Sequence, residues 1–342
     1  MTKRDVVLDA LAFRPPAYVP WSWGPTQDCA QRLRKHLGIA DLGPWLDPHF
    51  AGVGQGGVRV VREEGHLVTD TYGVTWDRTV DRDIGTPCRW PINRPEDLDR
   101  YRFPDAADPA WYAGYPEHLA RCRDRFTMYA LGFSLFERAW TLRGMEDLLT
   151  DMIERPAFVE RLLDAIVEHN LVQVGKAVEL GVDCMHFGDD YGMQTGLIMG
   201  RPLWVRFIKP RLARMFEPAR AAGLRISLHS CGRVQEVFDD LVEIGLNLFN
   251  PFQPEVMDVF EMLPRYRGLL AFHGGMSIQK VLPFGTAAQV REMTRRLIQA
   301  GRDGGYVFSP SHSVPRDVPP ENLAAMMDEL KSQPGYRADE PE

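Results

Sequence analysis

Short apolar runs that alternate with longer helical patterns are the feature that most limits the fold of this chain. After about residue 125 the alternation is regular, which indicates parallel strands joined by crossover helices. The strands predicted on this basis are 127–131, 182–187, 225–230, 246–250, 268–272 and 306–309. Two N-terminal segments, 18–23 and 68–76, add a first strand and a second strand or hairpin. We therefore predict an α/β fold, a TIM-like (β/α)8 barrel.

The predicted helices carry sequence signals at both ends. Helix 156–180 opens with Pro156 and is followed by Gly181, and Thr286 can cap a helix that runs to residue 300. Further helices are predicted at 202–222, 234–244 and 319–331. We expect a single domain over 1–332: an elaborated N-terminal part (1–125) that holds the first strands and covers the barrel mouth, regular βα units over 126–332, and a polar tail at 333–342.

Composition narrows the range of partners. The net charge is −7 with no basic run, so we do not expect nucleic acid. No stretch reaches the roughly 20 apolar residues that span a bilayer, and the first residues lack the apolar part of a secretory signal. Five widely spaced cysteines fit reduced thiols. We expect a cytoplasmic enzyme with a small-molecule substrate; a homodimer is one expectation, but the sequence leaves the oligomeric state open.

Polar and titratable residues follow the predicted strands, whereas the strand interiors are apolar. In barrels of this kind the chemistry lies at the carboxyl ends of the strands, so this segregation indicates an active site. The residues at these ends are Glu137, His186, Asp189, Asp190, Tyr191, His229, Cys231, Asn250, Gln253, His273 and His312.

His229 and Cys231 form a His-x-Cys pair at a strand end. Residues i and i+2 of a strand point to the same side, so both can reach one ion, and His312 can supply a third ligand. Imidazole and thiolate are preferred zinc ligands, and three protein ligands with one open position are typical of a catalytic zinc. The plainer alternative is a polar strand end with a buried thiol.

Other side chains receive chemical or binding roles. Glu137 lies among aromatic residues, so its pKa can be raised and it can protonate a leaving alkoxide; alternatively it pairs with a nearby arginine. Of two adjacent carboxylates, Asp189 is narrowly preferred for the site, and the other caps the next segment. His273 is a further proton-transfer candidate. The residues predicted to bind substrate are Trp21, Trp23, Tyr191, Asn250 and Gln253. For the two tryptophans the alternative is packing between the barrel and its cover.

Several stretches together resemble the uroporphyrinogen decarboxylase superfamily, especially its methyltransferase-like branch. The resemblance covers about residues 125–330. It is carried by residues 186–190 (HFGDD), 228–234 (LHSCGRV), 241–258, 272–276 (FHGGM), 281–286 and 304–322. It implies a TIM-like barrel. It also implies the chemistry of corrinoid-dependent methyltransferases, which pass a methyl group between a corrinoid protein and coenzyme M.

Those methyltransferases bind zinc through a His-x-Cys and a distant cysteine. His229 and Cys231 match the first two ligands, but the third position falls on His312, which is a departure from the pattern. The decarboxylase branch is similar in carrying a histidine near this point, so His312 is alternatively a substrate-binding residue. The third ligand then stays open among Glu137, Asp189, His186 and His273.

The decarboxylase branch holds its acidic tetrapyrrole with an arginine-rich N-terminal motif. Here residues 18–24 offer two tryptophans and no arginine. We therefore expect a zinc-dependent methyltransferase that moves a methyl group between a small methylated substrate or corrinoid protein and a thiol or corrinoid acceptor. A separate corrinoid protein is the implied partner. The alternatives are a metal-free decarboxylase of a carboxylated substrate and a non-catalytic corrinoid- or tetrapyrrole-binding protein.

Overall fold

The computed structural model describes residues 1–54, 57–80 and 82–337. None of the helices in these ranges has the length and apolar character that crossing a bilayer requires. The strands are β1 (Phe50–Gly54), β2 (Val60–Glu64), β3 (Leu67–Asp70), β4 (Thr75–Asp77), β5 (Thr86–Arg89), β6 (Phe126–Leu131), β7 (Cys184–Gly188), β8 (Arg225–His229), β9 (Leu248–Phe252), β10 (Ala271–Met276) and β11 (Tyr306–Pro310).

Seven of these strands form one parallel sheet in the order β1-β6-β7-β8-β9-β10-β11. Both edges of that sheet hydrogen-bond to the extended segment around Trp21. Phe308 N donates to Pro20 O at 2.8 Å, and His49 N donates to Trp21 O at 2.9 Å. The sheet is therefore curled as in a TIM-like barrel. The strand predicted at 18–23 is reduced to a single bridge residue, Trp21, which pairs in parallel with Phe308.

Helices follow most of the parallel strands. They are α1 (Lys3–Leu11), α2 (Gln27–Leu37), α3 (Gly43–Leu46), α4 (Tyr115–Arg121), α5 (Phe136–Arg143), α6 (Met145–Glu154), α7 (Pro156–Leu180), α8 (Gly200–Leu203), α9 (Lys209–Ala221), α10 (Phe238–Glu243), α11 (Val259–Arg265), α12 (Val281–Phe284), α13 (Ala287–Gly301) and α14 (Pro320–Lys331). Three 3₁₀ turns (Pro95–Asp99, Pro109–Trp111, Gln235–Val237) and a π-helical segment (Trp204–Ile208) complete them. The predicted helix ends have a physical basis: Pro156 starts α7, Gly181 ends it in a left-handed conformation, and Thr286 caps α13.

The six regular strands predicted after residue 125 are confirmed as β6 to β11, with shifts of a few residues at their ends. Strand β1 was not predicted, because the sequence FAGVG contains two glycines and has the composition of a loop. The segment 68–76 forms the β3–β4 hairpin of a separate four-stranded antiparallel sheet, β2-β3-β4-β5. It therefore adds no strand to the parallel sheet.

The predicted polar tail begins later than residue 333. Gln333 is buried, and its side-chain amide forms two hydrogen bonds with the backbone of Val19. Its Oε1 accepts from Val19 N at 2.9 Å, and its Nε2 donates to Val19 O at 3.1 Å. Tyr336 packs against Trp21, with ring centroids 5.0 Å apart. Residues 338–342 lie outside the described residues.

Candidate metal centre and cavity

Strand register brings the predicted metal donors together at the carboxyl end of the sheet. Gly188 pairs with His229, and His229 pairs with Asn250, so β7, β8 and β9 end at one level. The donor atoms of His229, Cys231 and His312 lie within 4.8 Å of one another. His229 Nε2 is 3.4 Å from Cys231 Sγ. Two imidazoles and one thiol fit the donor preference of Zn²⁺.

The hydrogen bonds behind His229 fix its tautomer. Asn250 Nδ2 donates to the carbonyl oxygen of His273 at 3.1 Å, which sets the orientation of the amide. Asn250 Oδ1 must then accept from His229 Nδ1–H, at 2.6 Å. His229 Nε2 therefore carries a free lone pair, and it faces Cys231. Asn250 thus orients His229, a candidate metal ligand, and this role differs from the predicted substrate contact.

His273 extends the same chain of hydrogen bonds. Its Nδ1 lies 3.1 Å from Asn250 Nδ2, which donates to it, and its Nε2–H donates to Ser22 O at 2.8 Å. Burial lowers the pKa of His273 to about 4, so the ring is neutral. Because both ring nitrogens are engaged, the structure places His273 behind the metal donors and not among the groups free to transfer a proton.

The loop that carries Cys231 is held by side chains from two other strand ends. Cys231 N donates to Asp190 Oδ1 at 2.8 Å, and Gly232 N donates to Gln253 Oε1 at 2.6 Å. Gly232 has φ +84°, and a Cβ there would come 2.3 Å from the backbone of Gly192. Gln253 therefore supports this loop, in which Cys231 is half-buried.

Asp189 and Asp190 have the opposite roles to those predicted from the sequence: Asp189 caps a helix, and Asp190 lies at the site. Asp189 is fully buried and accepts from Phe136 N at 2.9 Å and Glu137 N at 2.7 Å, so its carboxylate caps the start of α5. Asp190 lies at the metal centre, with Oδ1 3.7 Å from His229 Nε2. The assignment of Asp189 to the chemistry is thereby corrected to a structural one. The cap acts on a helix about 50 residues earlier in the chain, which sequence reasoning could not anticipate.

Glu137 lies in the first turn of α5, at the cavity. Burial raises the pKa of Glu137 to about 9, with the negative charges of Asp190 and Asp189 adding to the effect. The carboxyl is therefore protonated at neutral pH. This agrees with the expected environment of a proton donor.

A cavity of about 460 Å³ opens above the metal donors. The strand ends form one side of it, and residues of the N-terminal antiparallel sheet form the other. The residues that line it include Val60, Val68, Trp76, Arg78, Phe133, Glu137, Arg138, Asp190, His229 and His312. The volume suits a small molecule. The arginines were not predicted as cavity residues, because nothing in their local pattern distinguishes them from surface residues.

Three residues predicted to bind substrate lie away from this cavity. The Trp21 indole is fully buried and donates to Leu46 O at 2.9 Å, and the Trp23 indole lies 3.4 Å from the Met327 sulfur. Tyr191 is buried among Phe136 and Trp204. Their positions correct the interpretation of all three as ligand contacts: they pack between the sheet and its surrounding elements. The aromatic side chains Trp76 and Phe133 line the cavity instead.

The comparisons with known proteins agree with this architecture. A family model described as uroporphyrinogen decarboxylase (URO-D) matches residues 79–333. A solved structure of a methyltransferase from Methanosarcina mazei is similar over 97% of this chain and 98% of that chain, with a TM-score of 0.72 and 16% sequence identity. No curated protein matches by sequence.

A sugar phosphate isomerase/epimerase from Parabacteroides distasonis is similar over 93% of this chain and 98% of that chain, at 11% identity. Its TM-score of 0.44 is too low to support any inference about this chain. At 16% identity, the Methanosarcina mazei structure supports the fold.

Proposed function

The chain belongs to the uroporphyrinogen decarboxylase (URO-D) family, and we propose that it acts as a zinc-dependent methyltransferase on a small substrate. The observation that carries the proposal is the convergence of His229, Cys231 and His312 within 4.8 Å at the carboxyl end of the sheet. We also propose that the extended segment around Trp21 takes the place of the eighth strand of the barrel. The N-terminal antiparallel sheet would then cover the barrel mouth.

His229, Cys231 and His312 would hold the ion. Bound zinc supplies Lewis acidity, which lowers the pKa of a coordinated thiol or polarises an ether oxygen. Burial raises the pKa of the Cys231 thiol when no cation is present, so metal binding is coupled to proton release. Asn250 and His273 keep the His229 lone pair directed at the ion.

Glu137 holds the proton in this proposal. Because its carboxyl is neutral at pH 7, it can donate to an oxygen that becomes negative when a methyl group leaves. The methyl acceptor is then a thiol or a corrinoid, and in the corrinoid case a separate corrinoid protein is the partner. We also propose that the protein forms a homodimer.

The experiment is metal analysis of the purified, reduced protein. We expect about one zinc per chain in the wild type, as for a three-ligand catalytic site. The loss of zinc in Cys231→Ser, with zinc retained in the exposed-cysteine control Cys88→Ser, would support the proposal. Absence of zinc from the wild type after reconstitution would refute it.

A metal-free decarboxylase acting on a carboxylated substrate is the second candidate. It is favoured by one observation: Arg78 and Arg138 line the cavity, although the N-terminal stretch 18–24 contains no arginine. The zinc analysis separates the two candidates, because a decarboxylase of this kind would be indifferent to Cys231→Ser.

A further inference from the structure

Arg138 is a buried charge without a counterion. It lies in the first turn of α5, is 3% exposed, and its guanidinium carbon stands 3.6 Å from the centroid of the Tyr72 ring. Its Nη1 is buried and has no hydrogen-bond partner. In the part of the chain that the structure describes, no carboxylate forms an ion pair with it. This isolation is unusual, since buried charges are normally paired.

Two of the carboxylates that line the cavity, Asp70 and Asp190, have other partners. Asp70 accepts from Tyr72 N at 2.8 Å, from Val74 N at 3.1 Å and from Trp76 Nε1 at 2.9 Å. Asp190 accepts from Cys231 N. The carboxylates of Asp70 and Asp190 therefore accept hydrogen bonds from other groups, and neither forms an ion pair with the Arg138 guanidinium group at the cavity.

A second guanidinium group lines the same cavity. Arg78 has a buried Nε that makes no hydrogen bond to any residue within the described ranges. Around the two arginines the wall is apolar: Trp76 meets Phe133 edge-on at 5.4 Å, and Val60 and Val68 lie alongside. The metal donors His229 and His312 line the same cavity. The cavity therefore combines donors for an anion, an apolar surface and a metal centre.

We propose that this site takes a small acid whose carboxylate is bound by Arg138, with Arg78 beside it, and whose apolar body packs against Trp76 and Phe133. Guanidinium groups are suited to planar carboxylates, and an aromatic wall favours a flat ligand body. The inference deepens the proposed function, on which it rests, by naming the substrate class. Arg138 is a substrate-specificity residue in this reading.

The test is a binding titration of the full-length protein, by calorimetry or tryptophan fluorescence, with benzoate and its neutral isostere benzamide. We expect benzoate to bind about 10- to 100-fold more tightly, the range of a charge-assisted contact. In Arg138→Met we expect this preference to disappear while the affinity for benzamide persists, which also shows that the cavity is still folded. Arg138→Lys, which keeps the charge but not the fork, should retain part of the preference.

Three results would overturn the inference: no benzoate binding by the wild type, equal affinities for the two ligands, or a preference that survives in Arg138→Met. The titration is run on zinc-loaded and on metal-free protein, with the zinc content measured in each sample. A benzoate preference that depends on the metal and not on Arg138 would also overturn it. A preference that depends on Arg138 in protein unable to bind zinc would instead refute the methyltransferase and leave the acid site standing.

Discussion

Two walls of the cavity differ in how many of their polar atoms already have partners. The metal wall comprises His229, Cys231, His312 and the residues behind them, and a continuous chain of hydrogen bonds runs from His229 through Asn250 to His273 and Ser22. The arginine wall comprises Arg78, Arg138, Trp76 and Phe133, and it contains two guanidinium nitrogens without partners.

This difference indicates what each wall is built to receive. The metal wall is preorganised, because its hydrogen bonds orient a lone pair before any ion arrives. In the proposed acid site an anion would complete the arginine wall, because an unpaired buried charge is costly. Asp189 joins the two walls: it follows β7 on the metal side and caps α5, which carries Glu137 and Arg138.

Removing this junction should have the largest effect. In Asp189→Ala two buried N–H groups at the start of α5 lose their acceptor, so we expect the free energy of unfolding to fall by about 2–4 kcal/mol. Asp190→Ala is the matched control and should cost about 1 kcal/mol, because it removes a single backbone contact near the cavity. Urea unfolding of the metal-free proteins measures both. Equal destabilisation by the two variants would contradict the separate roles of these neighbours.

The same pair of aspartates shows what could be predicted from the sequence. Strands β6 to β11 were predictable because each is a compact apolar run. The approach of His229 to Cys231 was predictable because His-x-Cys at a strand end places both side chains on one side. Which aspartate faces the site depends on a helix far away in the chain. The isolation of Arg138 likewise exists only once α5, β3 and β4 surround it, so no local pattern could reveal it.

The preorganisation of the metal wall is tested by Asn250→Ala. Without the amide, His229 loses the acceptor that fixes its tautomer, and we expect zinc affinity to fall about 10- to 100-fold, the usual range for such a supporting residue. Asn250→Asp keeps an oxygen for His229 Nδ1–H and should retain most of the affinity. Competition with a chromophoric chelator gives the two constants. If Asn250→Ala bound zinc as tightly as the wild type, the hydrogen-bond chain would have no role in orienting the ligand.

Acid should destabilise both walls, because each has a buried neutral histidine behind it. Burial lowers the pKa of His273 to about 4, and burial, with the charge of Arg138, lowers that of His169 to about 4. Unfolded histidine titrates near 6.5, so stability is complete above that pH and is lost as the pH falls towards 4, by at most about 1.4 kcal/mol per pH unit for each group. Unfolding of metal-free protein at pH 7.5, 6 and 5 measures the slope, which should be smaller in His169→Gln. A slope unchanged in that variant would remove His169 from this account.

Glu137 lies between the two walls and should have the smallest effect on binding. Since its pKa is raised to about 9, its carboxyl is neutral at pH 7, and Glu137→Gln should bind benzoate within about twofold of the wild type. Above pH 9 the wild-type carboxyl ionises next to Arg138, competes with the ligand and should weaken benzoate binding, whereas the variant has no such group. Titrations at pH 7 and pH 9.5 therefore separate the two proteins only at the higher pH. A large difference at pH 7 would mean that Glu137 is already ionised there and that the arginine wall possesses its own counterion.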